Sequence, residues 1–241
     1  LVGVIAWIVG RPILRLKGHY LSMATLAVGF IIAIIINNET GLTGGPDGIP
    51  VAPFDLFGWE LSPFGSYSLL GVELSGSQAW YLFSALVLLL AVWLAQNLID
   101  SQIGRALRSV HGSEVAARVV GVNTAKYKSL VFVISAIYAS VMGSLYAHFQ
   151  GFITPAVAGF DFSIVLITMV VLGGMGSTMG VILGAVVLKL LPQLLADFQE
   201  LEAVMFGLIL MLTMIFMPKG LLPTLQRSIG RRLKKKAEGQ A

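Results

Sequence analysis

The chain alternates long uncharged apolar runs with polar connections. Three of these runs, at residues 20–36, 79–99 and 129–149, are about as long as a bilayer-crossing helix. Such a helix needs about 20 apolar residues, because in hydrocarbon every backbone amide must bond within its own segment. We therefore predict a membrane-spanning helix over each run.

A longer apolar stretch follows, which one helix does not explain. Residues 162–195 exceed a single span, and the segment 173–180 reads Gly-Gly-Met-Gly-Ser-Thr-Met-Gly. We predict two segments joined by a glycine-rich turn, then a shorter span at 201–217 that Pro218 ends, since proline supplies no amide donor. The predicted fold class is all-α, a polytopic transmembrane helical bundle with glycine-interrupted or re-entrant segments.

Composition excludes an ordinary soluble domain. Of the 241 residues, 56% are hydrophobic and 12% are charged, against about 25% charged in soluble domains; the mean hydropathy is +0.87. The absence of cysteine excludes disulfides and thiolate metal sites. The chain begins at Leu1 inside an apolar stretch with no initiator Met, so we expect further residues upstream.

The charged residues predict the orientation. Connection 37–78 contains five acids and no base, and connections 150–161 and 196–202 also carry acids without a base. The positive-inside rule places these outside and the basic loop at 101–128 in the cytoplasm. We predict a multi-pass protein of the bacterial plasma membrane, with a permease domain over 1–225 and a basic cytoplasmic tail over 226–241.

The net charge of +4 does not indicate nucleic-acid binding. The basic residues sit where membrane topology requires them, and the tail is expected to be drawn to anionic lipid headgroups. We therefore expect membrane lipid, and no nucleic acid, as a partner.

The loop at 101–128 contains a predicted short helix. Ser113 is placed to cap it, Glu114 and Arg118 form an i, i+4 pair, and Gly121 is placed to end it. We expect the small residues Ala116 and Ala117 to be exposed on this helix, where another protein's groove can accept them, although a solvated loop helix has the same pattern. The candidate coupling residues are Glu114, Ala116, Ala117 and Gly121.

Four separated motifs resemble one family. The Glu-x-Ala-Ala-x-x-x-Gly pattern at 114–121 is similar to the coupling motif of ABC importer permeases. The sequences Leu-Lys-Gly-His-Tyr-Leu at 16–21, Leu-Thr-Gly-Gly-Pro-Asp-Gly-Ile at 42–49 and Val-Leu-Gly-Gly-Met-Gly-Ser at 171–177 resemble, in the same order, the LivM-type permeases of branched-chain amino acid ABC transporters.

The resemblance implies a transport subunit rather than an enzyme. It implies as partners a second homologous permease subunit, two ATP-binding subunits that hold ATP and Mg, and an outer solute-binding protein. No cofactor is expected on this chain, which has no phosphate-binding loop. The implied substrates are leucine, isoleucine and valine, although similar permeases are associated with urea, short amides and aromatic acids.

Two glycine-rich segments are candidates for the substrate pathway. In the first, the amides of Gly44 and Gly45 are candidates to hold a substrate carboxylate, although an ordinary surface turn fits better. The second segment fits a half-helix lining the pathway or close packing of helices through small residues. The candidates are Thr43, Gly44, Gly45, Pro46, Gly48, Gly173, Gly174 and Gly176.

Two other functions compete with an ATP-driven permease. A secondary transporter or channel usually carries ionisable residues within its spans for ion coupling, and the three predicted spans contain no acidic or basic residue except His148 near an end. A membrane enzyme is the weakest alternative, because neither a His-Glu-x-x-His motif nor paired intramembrane aspartates occur.

Overall fold

The chain is predominantly helical. A computed structural model describes residues 1–195 except 17, 57–58 and 70–71, and beyond them Val204, Gly207, Leu208, Met211, Ile215 and Gly220. The helices are α1 (Val2–Ile13), α2 (His19–Asn38), α3 (Thr40–Thr43), α4 (Gly76–Asp100), α5 (Gln102–Gly112), α6 (Glu114–Val119), α7 (Thr124–Gln150), α8 (Phe160–Gly173) and α9 (Thr178–Leu195).

Three helices are long and apolar enough to cross a bilayer. Helices α2, α4 and α7 contain 20, 25 and 27 residues, and at 1.5 Å per residue each reaches about 30 Å or more. They confirm the three predicted spans, and the chain is a multi-pass membrane protein. The predicted span at 201–217 lies largely outside the described residues, and the tail at 226–241 lies wholly outside them.

Short strands, which the sequence did not reveal, fill the connection between α2 and α4. They are β1 (Ile49–Pro50), β2 (Phe54–Leu56), β3 (Trp59–Leu61), β4 (Ser66–Leu69) and β5 (Val72–Ser75), and β6 (Phe152–Ile153) follows α7. Strands β2 and β3, and likewise β4 and β5, form antiparallel pairs. Strand β1 pairs with β6, so the two acidic connections lie on the same side of the protein, as the charge pattern predicted.

An aromatic cluster holds the first strand pair against the helices. The ring of Phe54 lies 6.0 Å from Trp80, 5.4 Å from Phe83 and 5.3 Å from His148, measured between ring centroids. Trp80 is 1% exposed, and His148 Nδ1 lies 2.8 Å from the carbonyl oxygen of Ala52. Trp80, near the start of α4, is therefore buried beneath the connection.

The chain divides into two compact units, residues 1–158 and 159–241. The first contains α1 to α7 and all six strands, and the second contains α8 and α9. The division into a permease domain over 1–225 and a tail stays a prediction.

Helices α8 and α9 form a hairpin that confirms the glycine interruption. Helix α8 has 14 residues, about 21 Å, which is shorter than the hydrocarbon layer of about 30 Å. A Cβ placed on Gly173 would lie 2.2 Å from the carbonyl oxygen of Gly180, and one on Gly184 would lie 2.3 Å from that of Met169. The hairpin therefore shows the close packing through small residues that was one of the two interpretations.

Alanine substitutions separate the packed glycines from the exposed one. We expect Gly173→Ala to destabilise the purified protein by about 1–3 kcal/mol, because the added methyl overpacks the hairpin. Gly176→Ala is the control, since its Cβ meets nothing within 4 Å. Thermal unfolding of both variants in detergent checks this, and equal midpoints would contradict the packing.

Candidate functional site

Two polar side chains start the helices between α4 and α7. Ser101 Oγ accepts a hydrogen bond of 3.3 Å from the Gly104 amide at the start of α5. Ser113 Oγ accepts one of 3.3 Å from the Ala116 amide at the start of α6. These are N-caps, which satisfy amides that a helix start leaves without a backbone partner. The predicted role of Ser113 is confirmed.

Gly121 ends α6 as predicted, through its backbone conformation. Its φ is +86°, a left-handed value that favours glycine. The Val122 amide donates to the Ala117 carbonyl at 2.9 Å, and the Gly121 amide donates to the Arg118 carbonyl at 3.0 Å. This pair of bonds is the Schellman motif, which satisfies the last carbonyls of a helix.

Glu114 ties α6 to the beginning of α7. One carboxylate oxygen accepts a hydrogen bond of 2.6 Å from Lys128 Nζ, and the other accepts from Arg118 and, at 3.3 Å, from Thr124 Oγ1. Arg118 Nε also donates to Thr124 Oγ1 at 3.0 Å. Thr124 is only 3% exposed. The short helix is thus anchored to the first turns of a membrane-spanning helix.

The charge of Glu114 is stabilised by this network. The hydrogen bond from Lys128, together with the charges of Lys128 and Arg118, holds the pKa of the Glu114 carboxyl below its ordinary value of 4.5. Because the pKa is lowered on folding, the contribution to stability is complete at neutral pH and is lost as the pH falls below 4.5 through the lowered value. Among the described residues, no group of three or more His, Asp or Glu is placed to hold a metal ion.

The faces of α6 differ from the sequence expectation. Ala116 is exposed as expected, but Ala117 is 2% exposed, so its predicted exposure is wrong. Ala117 lies one helical turn from Glu114, on the side that Glu114 turns toward α7. The opposite side carries apolar residues instead: Val115 is 74% exposed, Val119 82% and Val120 75%.

The first glycine segment forms a compact turn. The Gly44 amide donates to the Thr40 carbonyl at 3.2 Å, and the Gly45 amide donates to Thr43 Oγ1 at 3.3 Å. Both amides are engaged within the connection, so neither is free to hold a substrate carboxylate in this structure. Pro46 lies in a single 3-10 turn, Gly45–Asp47, which agrees with the surface-turn interpretation.

The same turn is fixed to its neighbours. Thr43 Oγ1 donates to the Ile36 carbonyl at the end of α2, at 2.6 Å. A Cβ on Gly48, whose φ is +74°, would lie 2.3 Å from the Ile153 carbonyl oxygen of β6.

The second glycine segment is divided, since Gly173 and Gly174 are buried and Gly176 is exposed. A role for either segment in a substrate pathway stays a prediction.

Comparison with known proteins identifies the family. The family described as branched-chain amino acid transport system, permease component, matches residues 1–218. The chain belongs to this family. The resemblance carried by the four motifs is therefore confirmed, and members of the family are transport components rather than enzymes.

Individual relatives of this chain are also named as branched-chain amino acid permeases. The chain is 38% identical over 228 residues to the high-affinity branched-chain amino acid permease protein LivM of Salmonella typhimurium, and 37% identical over 228 residues to LivM of Escherichia coli. Each match covers 90% of this chain and 54% of the relative, so the chain spans about half their length. LivH of Salmonella typhimurium is 28% identical over 221 residues, covering 90% of this chain and 69% of LivH. No solved structure matches the chain.

A double-mutant cycle tests the anchoring of α6. We expect Glu114→Gln and Lys128→Gln each to raise amide hydrogen exchange in α6 roughly two- to fivefold, because partly exposed ion pairs contribute modestly. The double variant should exceed either single variant by little, since both remove the same bond.

Arg105→Gln is the control for this cycle, because Arg105 donates to the Asp100 carbonyl and not to Glu114. Relative to the intrinsic exchange rate at each pH, the same rise should occur in the unsubstituted protein as the pH falls through the lowered pKa of Glu114, where its carboxylate becomes protonated. Additive effects of the two substitutions would contradict a direct Glu114–Lys128 link.

Proposed function

We propose that this chain is the membrane-spanning permease subunit of an ABC importer. It moves branched-chain amino acids, or similar small polar solutes, inward, and ATP is hydrolysed on partner subunits. The family membership supports this proposal, as do relatives named as high-affinity branched-chain amino acid permeases that match 90% of the chain.

The observation that supports the ATP-driven mechanism is the exposed apolar face of α6, on the side away from α7. This face belongs to a loop between two membrane spans. Its exposed residues are Val115, Ala116 and Val119 of α6, with Val120 just past the end of the helix. An apolar face of this kind marks an interaction surface. Its other side is tied to α7 by Glu114, so a force applied to the face is transmitted to that span.

This arrangement and the family membership support the proposed partners. The ATP-binding subunit receives the face of α6 in a groove, and the related permease is of the kind represented by LivH, to which this chain is also similar. The basic residues of the loop support the proposal that α5 and α6 lie in the cytoplasm of a bacterial cell, with the C-terminus on the same side. The connection containing β1 to β5 then faces the solute-binding protein.

Transport is coupled to ATP through the helix and not through chemistry on this chain. Closure of the ATP-binding subunits pushes α6, and the Glu114–Lys128 bond carries the displacement into the first turns of α7. Helices α4 and α7 then rock and change the side from which the pathway is open. The segments 43–48 and 173–176 are the proposed pathway elements.

Substitutions at Val119 test the docking of α6. We expect Val119→Asp to reduce the stimulated ATPase activity and uptake of the assembled complex in vesicles at least tenfold, because a charge is buried in the docking groove. Val119→Ile keeps the apolar face and should retain both activities. Position 117 is unsuitable for this test, because Ala117 is buried and a larger residue there displaces α6 itself.

Two results would overturn the proposal. Full uptake by Val119→Asp would exclude docking through this face. Uptake that persists in vesicles lacking the ATP-binding subunits would favour a secondary transporter or channel.

A further inference from the structure

A cavity between α1 and α7 lies outside the site described above. Its volume is about 460 Å³, which falls within the range of small-ligand sites. The two helices run in opposite directions, with Gly3 beside Ile137 and Gly10 beside Phe132. The charged end of α1 therefore meets the first turns of α7. The residues that line the cavity include Trp7, Arg11, Arg15, Lys126, Leu130 and Val133.

Three cations meet at the rim. Arg11 lies in the last turn of α1, Arg15 lies just past its end, and Lys126 lies in the first turn of α7. No Asp or Glu lines the cavity, and none of the three cations has an ion-pair partner among the described residues. Arg11 stacks on the ring of Trp7, 5.3 Å from its centroid, which orients the guanidinium. The rim is a concentration of positive charge without internal compensation.

The walls below the rim are apolar. Trp7 of α1, and Leu130 and Val133 of α7, line the part of the cavity further along the apolar runs of both helices. Charge thus lies at the helix ends, where a membrane interface begins, and hydrocarbon-like surface lies deeper. A free phosphate ion uses only the rim, whereas a phospholipid uses both parts.

We propose that this cavity binds one anionic phospholipid, with its phosphate at Arg11, Arg15 and Lys126 and the start of an acyl chain along Trp7, Leu130 and Val133. Guanidinium and ammonium groups form charge-assisted hydrogen bonds with phosphate oxygens. The lipid fills the gap between α1 and α7 and braces the first turn of α7. Binding requires only that these helix ends lie at a membrane interface, so the proposal stands apart from ATP-driven transport.

Native mass spectrometry of the assembled complex measures the bound lipid directly. The complex is titrated with phosphatidylglycerol or phosphatidylcholine in detergent, without nucleotide. We expect one phosphatidylglycerol to bind tightly, and Arg15→Gln/Lys126→Gln to weaken that binding roughly twenty-five-fold, since each interfacial cation contributes a factor of about five. Arg105→Gln/Arg108→Gln removes the same charge outside the cavity and should leave the affinity unchanged.

The outcomes separate a lipid from other ligands. Equal phosphatidylglycerol affinity in both double variants would overturn the site. Equal affinity of the unsubstituted complex for phosphatidylcholine would overturn its selectivity for anionic lipid. Displacement of the lipid by inorganic phosphate at matched ionic strength would show an anion site only, and the lipid assignment would fail. ATPase and uptake assays play no part, so failure here leaves the proposed transport function untouched.

Discussion

Hydrocarbon offers no water to a backbone amide, and this constraint shapes the protein. It requires α2, α4 and α7 to be long, apolar and continuous, because only a helix bonds its own amides and carbonyls. It also confines polar and charged interactions to the helix ends and the connections. The Glu114 network, the caps at Ser101 and Ser113, and the cationic cavity all lie at or beyond the ends of apolar helices.

Local pattern predicted the features that depend on local forces. Uninterrupted apolar runs identified three spans, the glycine cluster identified the break between α8 and α9, and the sequence Ser-Glu followed by Gly121 identified the short helix. Features set by distant contacts were missed. Trp80 is buried because Phe54, 26 positions earlier, folds back over it. Ala117 is buried because Glu114 turns that side of α6 toward Lys128.

The glycines of the chain serve two different physical needs, which the sequence alone does not separate. Gly121 and Gly44 supply left-handed backbone at turns, and Gly173 and Gly184 allow two helix backbones to touch. Gly176, inside the same run as Gly173, meets nothing. Spacing places a glycine in a turn or at a helix contact, but only the approach of another backbone shows which residue is essential.

The beginning of α7 contacts both the Glu114 network and the cationic cavity. Glu114 reaches it through Lys128 and Thr124, and the cationic cavity borders it through Lys126. Asn123, which caps α7 by accepting from the Lys126 amide at 3.1 Å, lines this cavity and also the shallow pocket beside Arg118 and Gly121. The proposed lipid makes the first turn of α7, to which α6 is anchored, more rigid. When this turn is rigid, less of a displacement of α6 is absorbed by local bending, and more of it is transmitted to the rest of α7.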